Sequence, residues 1–351
     1  MSLMEKLLAV GSVKQSEILS DSSYFAVRDS IKTELPILNI AFSGNLDGGL
    51  VPGLTIFAGE SKSFKTMLGL YCLKAYFDKY KDAVCLFYDS EFSVTPKYIN
   101  NFGIDSSRVI HIPIEHVEQL KFDIVKRLEQ IKRGDKVFIF VDSLGNLASK
   151  KEIDDATDEK SVADMTRAKS IRSLLRIITP HLAMKDLPCI MVNHIYKTME
   201  MYSRNVIPGG TSVMYSANQI FIITKSQEKD KDNNLLGFTF TINIEKSRFI
   251  KEKSKLPFEV SFEKGVYKWS GLLELAVEAG VISKSGVKAS TKYSLVNSDG
   301  EISLESYKEK NIPVDCYEQL LVNDKFKQFV TNKFSFEQNR MIEEEDQLDV
   351  V

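Results

Sequence analysis

Cysteine and histidine are scarce in this chain, with four of each among 351 residues. The cysteines, Cys72, Cys85, Cys189 and Cys316, are widely spaced with no C-x-x-C pair, and three of them sit in apolar segments. Neither a disulfide framework nor a structural zinc site organises such a sequence; buried free thiols in a reducing compartment are the expectation. Long hydrophobic runs are missing too. The stretch 137–141 is far short of the ~20 apolar residues that span a bilayer. The opening Met1-Ser2-Leu3-Met4-Glu5-Lys6 lacks the basic-then-apolar order of a signal peptide. A soluble, cytoplasmic protein without a membrane partner is expected.

Net charge is also small, at −2, which by itself speaks against a nucleic-acid binder. The distribution changes that reading. Residues 337–351 carry a net −5, so the first 336 residues stand at +3 and the acidic end masks local basic clusters. With 43% hydrophobic and 27% charged residues, the chain has ordinary globular composition, and its length fits about two domains.

Between residues 35 and 269, strand-like and helix-like segments alternate, the pattern of an α/β fold with a largely parallel central sheet. Short apolar, β-branched or aromatic runs predict strands at 54–58, 84–88, 137–141, 189–192, 220–223 and 238–244. Helical periodicity fits 66–79, 117–132 and 161–178, the last with Val162, Met165, Ala168, Ile171, Leu175 and Ile178 on one face and Pro180 at or just past its end. After Ser270-Gly271 the texture shifts, with helices expected at 272–279 and 320–330. The organisation reads as an N-terminal arm (1–33), a core (34–269), a small C-terminal α/β domain (270–335) and an acidic tail (336–351).

The strand at 54–58 runs into Gly59-Glu60-Ser61-Lys62-Ser63-Phe64-Lys65-Thr66 and then an apolar helix. This is the setting of a P-loop, whose backbone N–H groups wrap phosphates at a helix N-terminus. Lys65 would reach the β/γ-phosphates and the Thr66 hydroxyl would coordinate Mg²⁺. Phe64 replaces the usual second glycine. A left-handed backbone there costs about 1–3 kcal/mol, and an ordinary strand-to-helix turn fits the loop taken alone. Two more segments strengthen the nucleotide reading. The strand 137–141 ends in Asp142, as a Mg²⁺-side carboxylate requires. Another strand leads into Asp89-Ser90-Glu91, where a glutamate can polarise attacking water. In open α/β sheets, ligands bind outside such carboxyl ends.

Taken in order and spacing, Gly48-Gly49-Leu50-Val51-Pro52-Gly53, the loop at 59–66, Tyr88-Asp89-Ser90-Glu91, Val141-Asp142-Ser143 and Pro208-Gly209-Gly210 resemble the RecA-type recombinase family, in particular its branch in T-even-like bacteriophages. The resemblance covers roughly residues 35–280. It implies a RecA-like P-loop ATPase core and makes the aromatic Phe64 a family trait. It also implies that Glu91 activates water, that Tyr98 stacks on adenine, and that Asn193-His194 stand where the family usually has an Asn-Gln γ-phosphate sensor. Lys246 and Arg248 match two basic residues that reach the ATP of a neighbouring subunit.

Two stretches have the composition of loops that order on single-stranded DNA, although solvated connections would look the same. Residues 149–160 lead into a helix bearing Arg167, Lys169, Arg172 and Arg176. Residues 195–210 carry Lys197, Tyr202 and Arg204 before Gly209 and Gly210. The resemblance implies an ATP- and Mg²⁺-dependent DNA recombinase. It would form a helical filament on single-stranded DNA, pair with homologous duplex, and work with a single-strand-binding protein and a loading mediator. The aromatic pair Tyr24-Phe25 would either dock the arm on the next protomer, as aromatic anchors do, or pack on its own domain. Two rivals are a hexameric DNA motor of the same fold and a nucleotide-gated recombination mediator.

Overall fold

The computed structural model describes residues 2–13, 15–25, 30–158, 166–197, 205–287, 290–297 and 299–336. Helix α1 (Leu3–Val10) starts at a capping box between Ser2 and Glu5 and buries none of its residues. Helix α2 (Pro36–Ser43) begins at a proline, whose fixed φ suits a first helical turn, and is buried from Pro36 to Phe42. Strands and helices then alternate: β1 (Gly53–Gly59), α3 (Lys65–Lys79), β2 (Val84–Asp89), α4 (Pro96–Asn101), β3 (Val109–Pro113), α5 (Val117–Gln130), β4 (Val137–Asp142), α6 (Lys150–Thr157), α7 (Thr166–Lys185) and β5 (Pro188–His194). A short hairpin of β6 (Tyr196–Lys197) and β7 (Asn205–Val206) precedes α8 (Thr211–Ser216). Long strands β8 (Gln219–Lys229) and β9 (Leu235–Lys246) follow, then β10 (Lys255–Ser261) and β11 (Gly265–Val266). The chain closes with α9 (Leu272–Glu278), β12 (Ile282–Ser285), β13 (Lys292–Leu295), α10 (Val314–Val322) and α11 (Asp324–Phe334).

Nine strands form one sheet in the order β11-β10-β9-β8-β1-β5-β4-β2-β3. From β8 to β3 the neighbours are parallel; β9, β10 and β11 extend the sheet antiparallel. Alternation along each strand divides the core between two faces. Phe57, Phe87, Phe140 and Val192 meet α2, α3 and the C-terminal helices, whereas Ile56, Tyr88, Val141 and Met191 meet α5 and α7. Trp269 stacks on Tyr317 with ring centroids 5.2 Å apart, and Lys251 donates its amide to Phe334 O, so α10 and α11 lie against the sheet.

Four local expectations need correction. Helix α7 does not stop at Pro180 but runs through it to Lys185. Buried Ile178 and Leu182 lie on either side, and Lys185 donates to the carbonyls of Leu128 and Ile131, so packing holds the turn that the proline weakens. On the same helix Ala168 is exposed and Ser170 is buried, while Val162 and Met165 lie outside the described residues. The single helix expected at 320–330 is two, because Asn323 breaks it and caps α11 through the Phe326 amide. The polar stretch from Ser149 contains α6, nucleated by reciprocal bonds between Ser149 and Glu152.

In the arm, Tyr24 sits under the Arg133 guanidinium of its own chain at 4.9 Å, and Arg133 also donates to Ser23 O. The four cysteines are buried and free.

Candidate active site

Parallel pairing brings four strand ends into one row. Gly59 of β1 is in register with His194 of β5, and Asp89 of β2 with Asp142 of β4. The loop after β1 is tight: a Cβ on Gly59 would lie 2.5 Å from Ser63 Oγ and 2.6 Å from Ile223 O. Lys62 and Phe64 both adopt positive φ, 58° and 68°, curling the loop into the start of α3. Phe64 is held there by its ring, which packs on Phe240 and Phe258 at 5.1 and 5.6 Å. Lys65 folds back under the loop and donates to Gly59 O, Glu60 O and Ser63 Oγ. Burial lowers its pKa, against the pull of Glu91 and Asp142.

Thr66 Oγ1 donates to Asp142 Oδ2 at 2.8 Å. The other carboxylate oxygen, Asp142 Oδ1, is buried and has no hydrogen-bond partner among the described residues. Burial pushes the Asp142 carboxyl up to about 7, helped by Glu91 and Asp89 and opposed by the Thr66 bond. A hydroxyl beside an orphaned, buried carboxylate oxygen at a phosphate loop is the donor set that fits Mg²⁺.

Glu91 follows β2, and its loop is fixed from below by Asp89, whose Oδ1 accepts the amides of Glu91 and Phe92. His111 Nε2 lies 3.0 Å from Asp89 Oδ2. Three groups converge on Glu91 Oε1: Ser143 Oγ at 2.7 Å, Asn146 Nδ2 at 2.9 Å and His194 Nε2 at 3.1 Å. Among the described residues no hydrogen bond reaches Oε2.

The remaining residues singled out from the sequence are dispersed around this centre. Tyr98, half-exposed on α4, places its hydroxyl on Met67 of α3, beside the phosphate loop. Asn193 is buried, donating to Pro208 O and accepting the His194 amide, and so ties β5 to the segment before Gly209 and Gly210. Gly209 and Gly210 take φ of 97° and 62°, and a Cβ on Gly209 would meet Val213 and Ile171 within 3 Å. Lys169, Arg172 and Arg176 share the exposed face of α7. Arg167 instead turns inward, donating to Leu147 O and Gly145 O. Lys246 donates to Met214, Tyr215 and Ala217 carbonyls at the end of α8, whereas Arg248 is exposed. Lys197 has a described backbone only; Tyr202 and Arg204, like the acidic tail, lie outside the described residues.

Sequence reasoning missed Asp89, Ser143 and Asn146. Asp89 and Ser143 flank the acids already singled out, and that adjacency was a usable signal. Asn146 had none, because only a tertiary turn carries it to Glu91.

The family model described as the RecA N-terminal domain matches residues 6–267. The "Recombination and repair protein" of Enterobacteria phage T4 is 50% identical over 282 residues, covering 80% of this chain and 72% of that one. "Protein RecA" of Cereibacter sphaeroides is 27% identical over 243 residues, 68% of each chain. "Protein RecA" of Mesomycoplasma hyopneumoniae is 26% identical over 272 residues, covering 75% of this chain and 77% of that one. The chain carrying the Lys65, Thr66, Asp142 and Glu91 centre belongs to the RecA N-terminal domain family.

Proposed function

We propose that this protein is a DNA-dependent ATPase of homologous recombination that assembles on single-stranded DNA and exchanges strands with homologous duplex. The observation that carries this reading is the convergence of Lys65, Thr66, Asp142 and Glu91 at the ends of β1, β4 and β2, in a chain 50% identical over 282 residues to a phage recombination and repair protein. ATP would lie in the loop 59–66 with its adenine toward Tyr98. Thr66 and Asp142 would hold Mg²⁺, which supplies charge neutralisation for the phosphates when bound.

The residues divide the work by geometry. Lys65, released from the loop carbonyls it now bonds, neutralises phosphate oxygens. Glu91, with Oε1 occupied by Ser143, Asn146 and His194, turns Oε2 toward the attacking water and orients it as a general base. His194 joins that carboxylate to β5, and Asn193 joins β5 to Pro208 and the Gly209-Gly210 segment. A strand end thereby links the reacting centre to a segment read as DNA-binding. The exposed α7 stripe of Lys169, Arg172 and Arg176 suits a phosphate backbone. Arg248 and Lys246 act on the nucleotide of the next protomer in a head-to-tail helical filament. A single-strand-binding protein and a loading mediator complete the set of partners. Among the described residues no helix is long and apolar enough to cross a membrane.

Phosphate release measured with and without single-stranded DNA, with negative-stain microscopy of the same mixture, tests this reading. Strong stimulation with extended helical filaments is the expected result. Closed rings would replace it with a DNA motor, and DNA binding without hydrolysis with a mediator.

A further inference from the structure

We propose that Arg167 and Asn146 are positioning residues for Glu91, joined through the turn that follows β4. The proposal rests on the reading of Glu91 as the general base. Asn146 reaches Glu91 Oε1 from the turn at residues 144–147, and three independent contacts fix where that turn lies. Leu144 donates its amide to Val192 O of β5 at 2.9 Å, and the Leu144 and Leu147 side chains are buried. Gly145 is wedged against the end of the same strand: a Cβ there would stand 2.7 Å from His194 Cδ2, 2.8 Å from His194 N and 3.0 Å from Asn193 Oδ1. From the other side, the Arg167 guanidinium uses Nε on Leu147 O and Nη2 on Gly145 O, bracketing Asn146.

The fork geometry of arginine suits this task. Two N–H groups at a fixed spacing hold two carbonyls two residues apart, which defines the orientation of the turn as well as its position. An amide donor on one carboxylate oxygen fixes the side-chain rotamer, so Oε2 stays aimed at the reactant. Arg167 thus works inside the protomer, one element removed from the reacting atoms, while Lys169, Arg172 and Arg176 present their charges to solvent.

The test is a double-mutant cycle on full-length protein at saturating single-stranded DNA. Asn146→Ala and Arg167→Ala should each lower kcat for ATP hydrolysis about tenfold, with KM for ATP and DNA affinity within about twofold of the parent. The double variant should fall no further than the weaker single, because both changes break one chain of contacts. Arg167→Lys should recover little, since one ammonium cannot bracket both carbonyls. The inference is overturned by an unchanged kcat in Asn146→Ala or by losses that multiply in the double variant. An Arg167→Ala defect confined to DNA affinity, with a salt slope shallower by about one, would also overturn it by marking a phosphate contact. Should Arg167→Ala not fold, Asn146→Ala at its exposed position carries the test alone. Glu91→Gln in the same assay separates the two readings: retained hydrolysis there defeats the assignment of Glu91 and this inference together. Lost hydrolysis beside multiplying losses defeats only the inference.

Discussion

Thr66 and Asp142 face each other across 2.8 Å, hydroxyl to Oδ2, while Asp142 Oδ1 stays buried and unpartnered among the described residues. Such an arrangement costs stability unless something else compensates, because a buried carboxylate with a free oxygen prefers to be neutral. In the function proposed above, a cation at this oxygen supplies that compensation. Asp142→Asn keeps an acceptor for Thr66 and removes the charge. We expect it to fold with an unchanged or higher melting temperature in the absence of nucleotide, and to lose Mg²⁺-dependent hydrolysis by at least about 100-fold. A melting temperature several degrees lower would mean that the charge serves the fold and not the ion.

Glu91→Gln separates assembly from chemistry. The amide retains the shape that Ser143, Asn146 and His194 surround, but it cannot take a proton from water. ATP-dependent DNA binding should persist while hydrolysis falls by about 100-fold or more. Loss of DNA binding with normal hydrolysis, measured by fluorescence anisotropy beside phosphate release, would remove Glu91 from the catalytic role.

Phe64 sets two effects against each other. Its backbone at φ 68° favours glycine by about 1–3 kcal/mol, whereas its ring packs on Phe240 and Phe258. Deleting a packed aromatic ring outweighs that relief, so Phe64→Gly should destabilise the protein by about 1–3 kcal/mol in chemical denaturation. Nucleotide affinity should change little, since glycine adopts the same loop backbone. A stabilised variant would show that the strain dominates.

What could be read from the sequence follows from how each element is buried. Strands β1, β2, β4 and β5 are central and apolar, and β2 and β4 end in acids, so their runs and termini are legible together. Strand β3 lies at the sheet edge with Ile110 and His111 exposed, and its five mixed residues give no apolar run. Helix α2 is buried on nearly every side, which erases the polar face that periodicity needs. The outer half of β8 is polar because it projects beyond the core, so only its inner half was visible, and β9 begins three residues before the expected segment, with Leu235 and Leu236 apolar but exposed ahead of Gly237. In the site, residues fixed by local motifs could be found. Asn146 could not, and neither could the inward turn of Arg167, because both depend on how a turn seats against β5.

Glu118 gives a pH-dependent prediction. It receives bonds from Ser170 Oγ and the Lys150 amide, with His116 Nδ1 3.3 Å away, and so joins α5, α6 and α7. Burial disfavours its charge, but those bonds outweigh burial and hold its pKa below the ordinary glutamate value. A depressed folded-state pKa stabilises above the unfolded value, and that contribution disappears as pH falls through the folded one. Glu118→Gln should lower the melting temperature at pH 7 by about 2–4 °C. The difference should shrink as pH drops below about 4.5. A gap independent of pH would assign the effect to packing.

Lys246 and Arg248 lie two residues apart yet stand in different surroundings. The Lys246 ammonium serves carbonyls of Met214, Tyr215 and Ala217 at the end of α8, and burial lowers its pKa, with Arg248 adding to the effect. Removing it leaves part-buried carbonyls without that donor, a loss of about 1–3 kcal/mol. Lys246→Ala should therefore melt earlier than the parent, whereas exposed Arg248→Ala should not. If both cations also act on a neighbour's nucleotide, each alanine variant should lower DNA-stimulated hydrolysis more than basal hydrolysis, because only the assembled form brings them to a phosphate. Mixing either variant with an excess of Glu91→Gln protein tests the geometry directly. Intact cations on the inactive subunits can then complete active sites on the variant, raising turnover per variant subunit. Earlier melting of Lys246→Ala, equal losses of basal and stimulated rates, and no rescue on mixing would together confine Lys246 to its cap on α8.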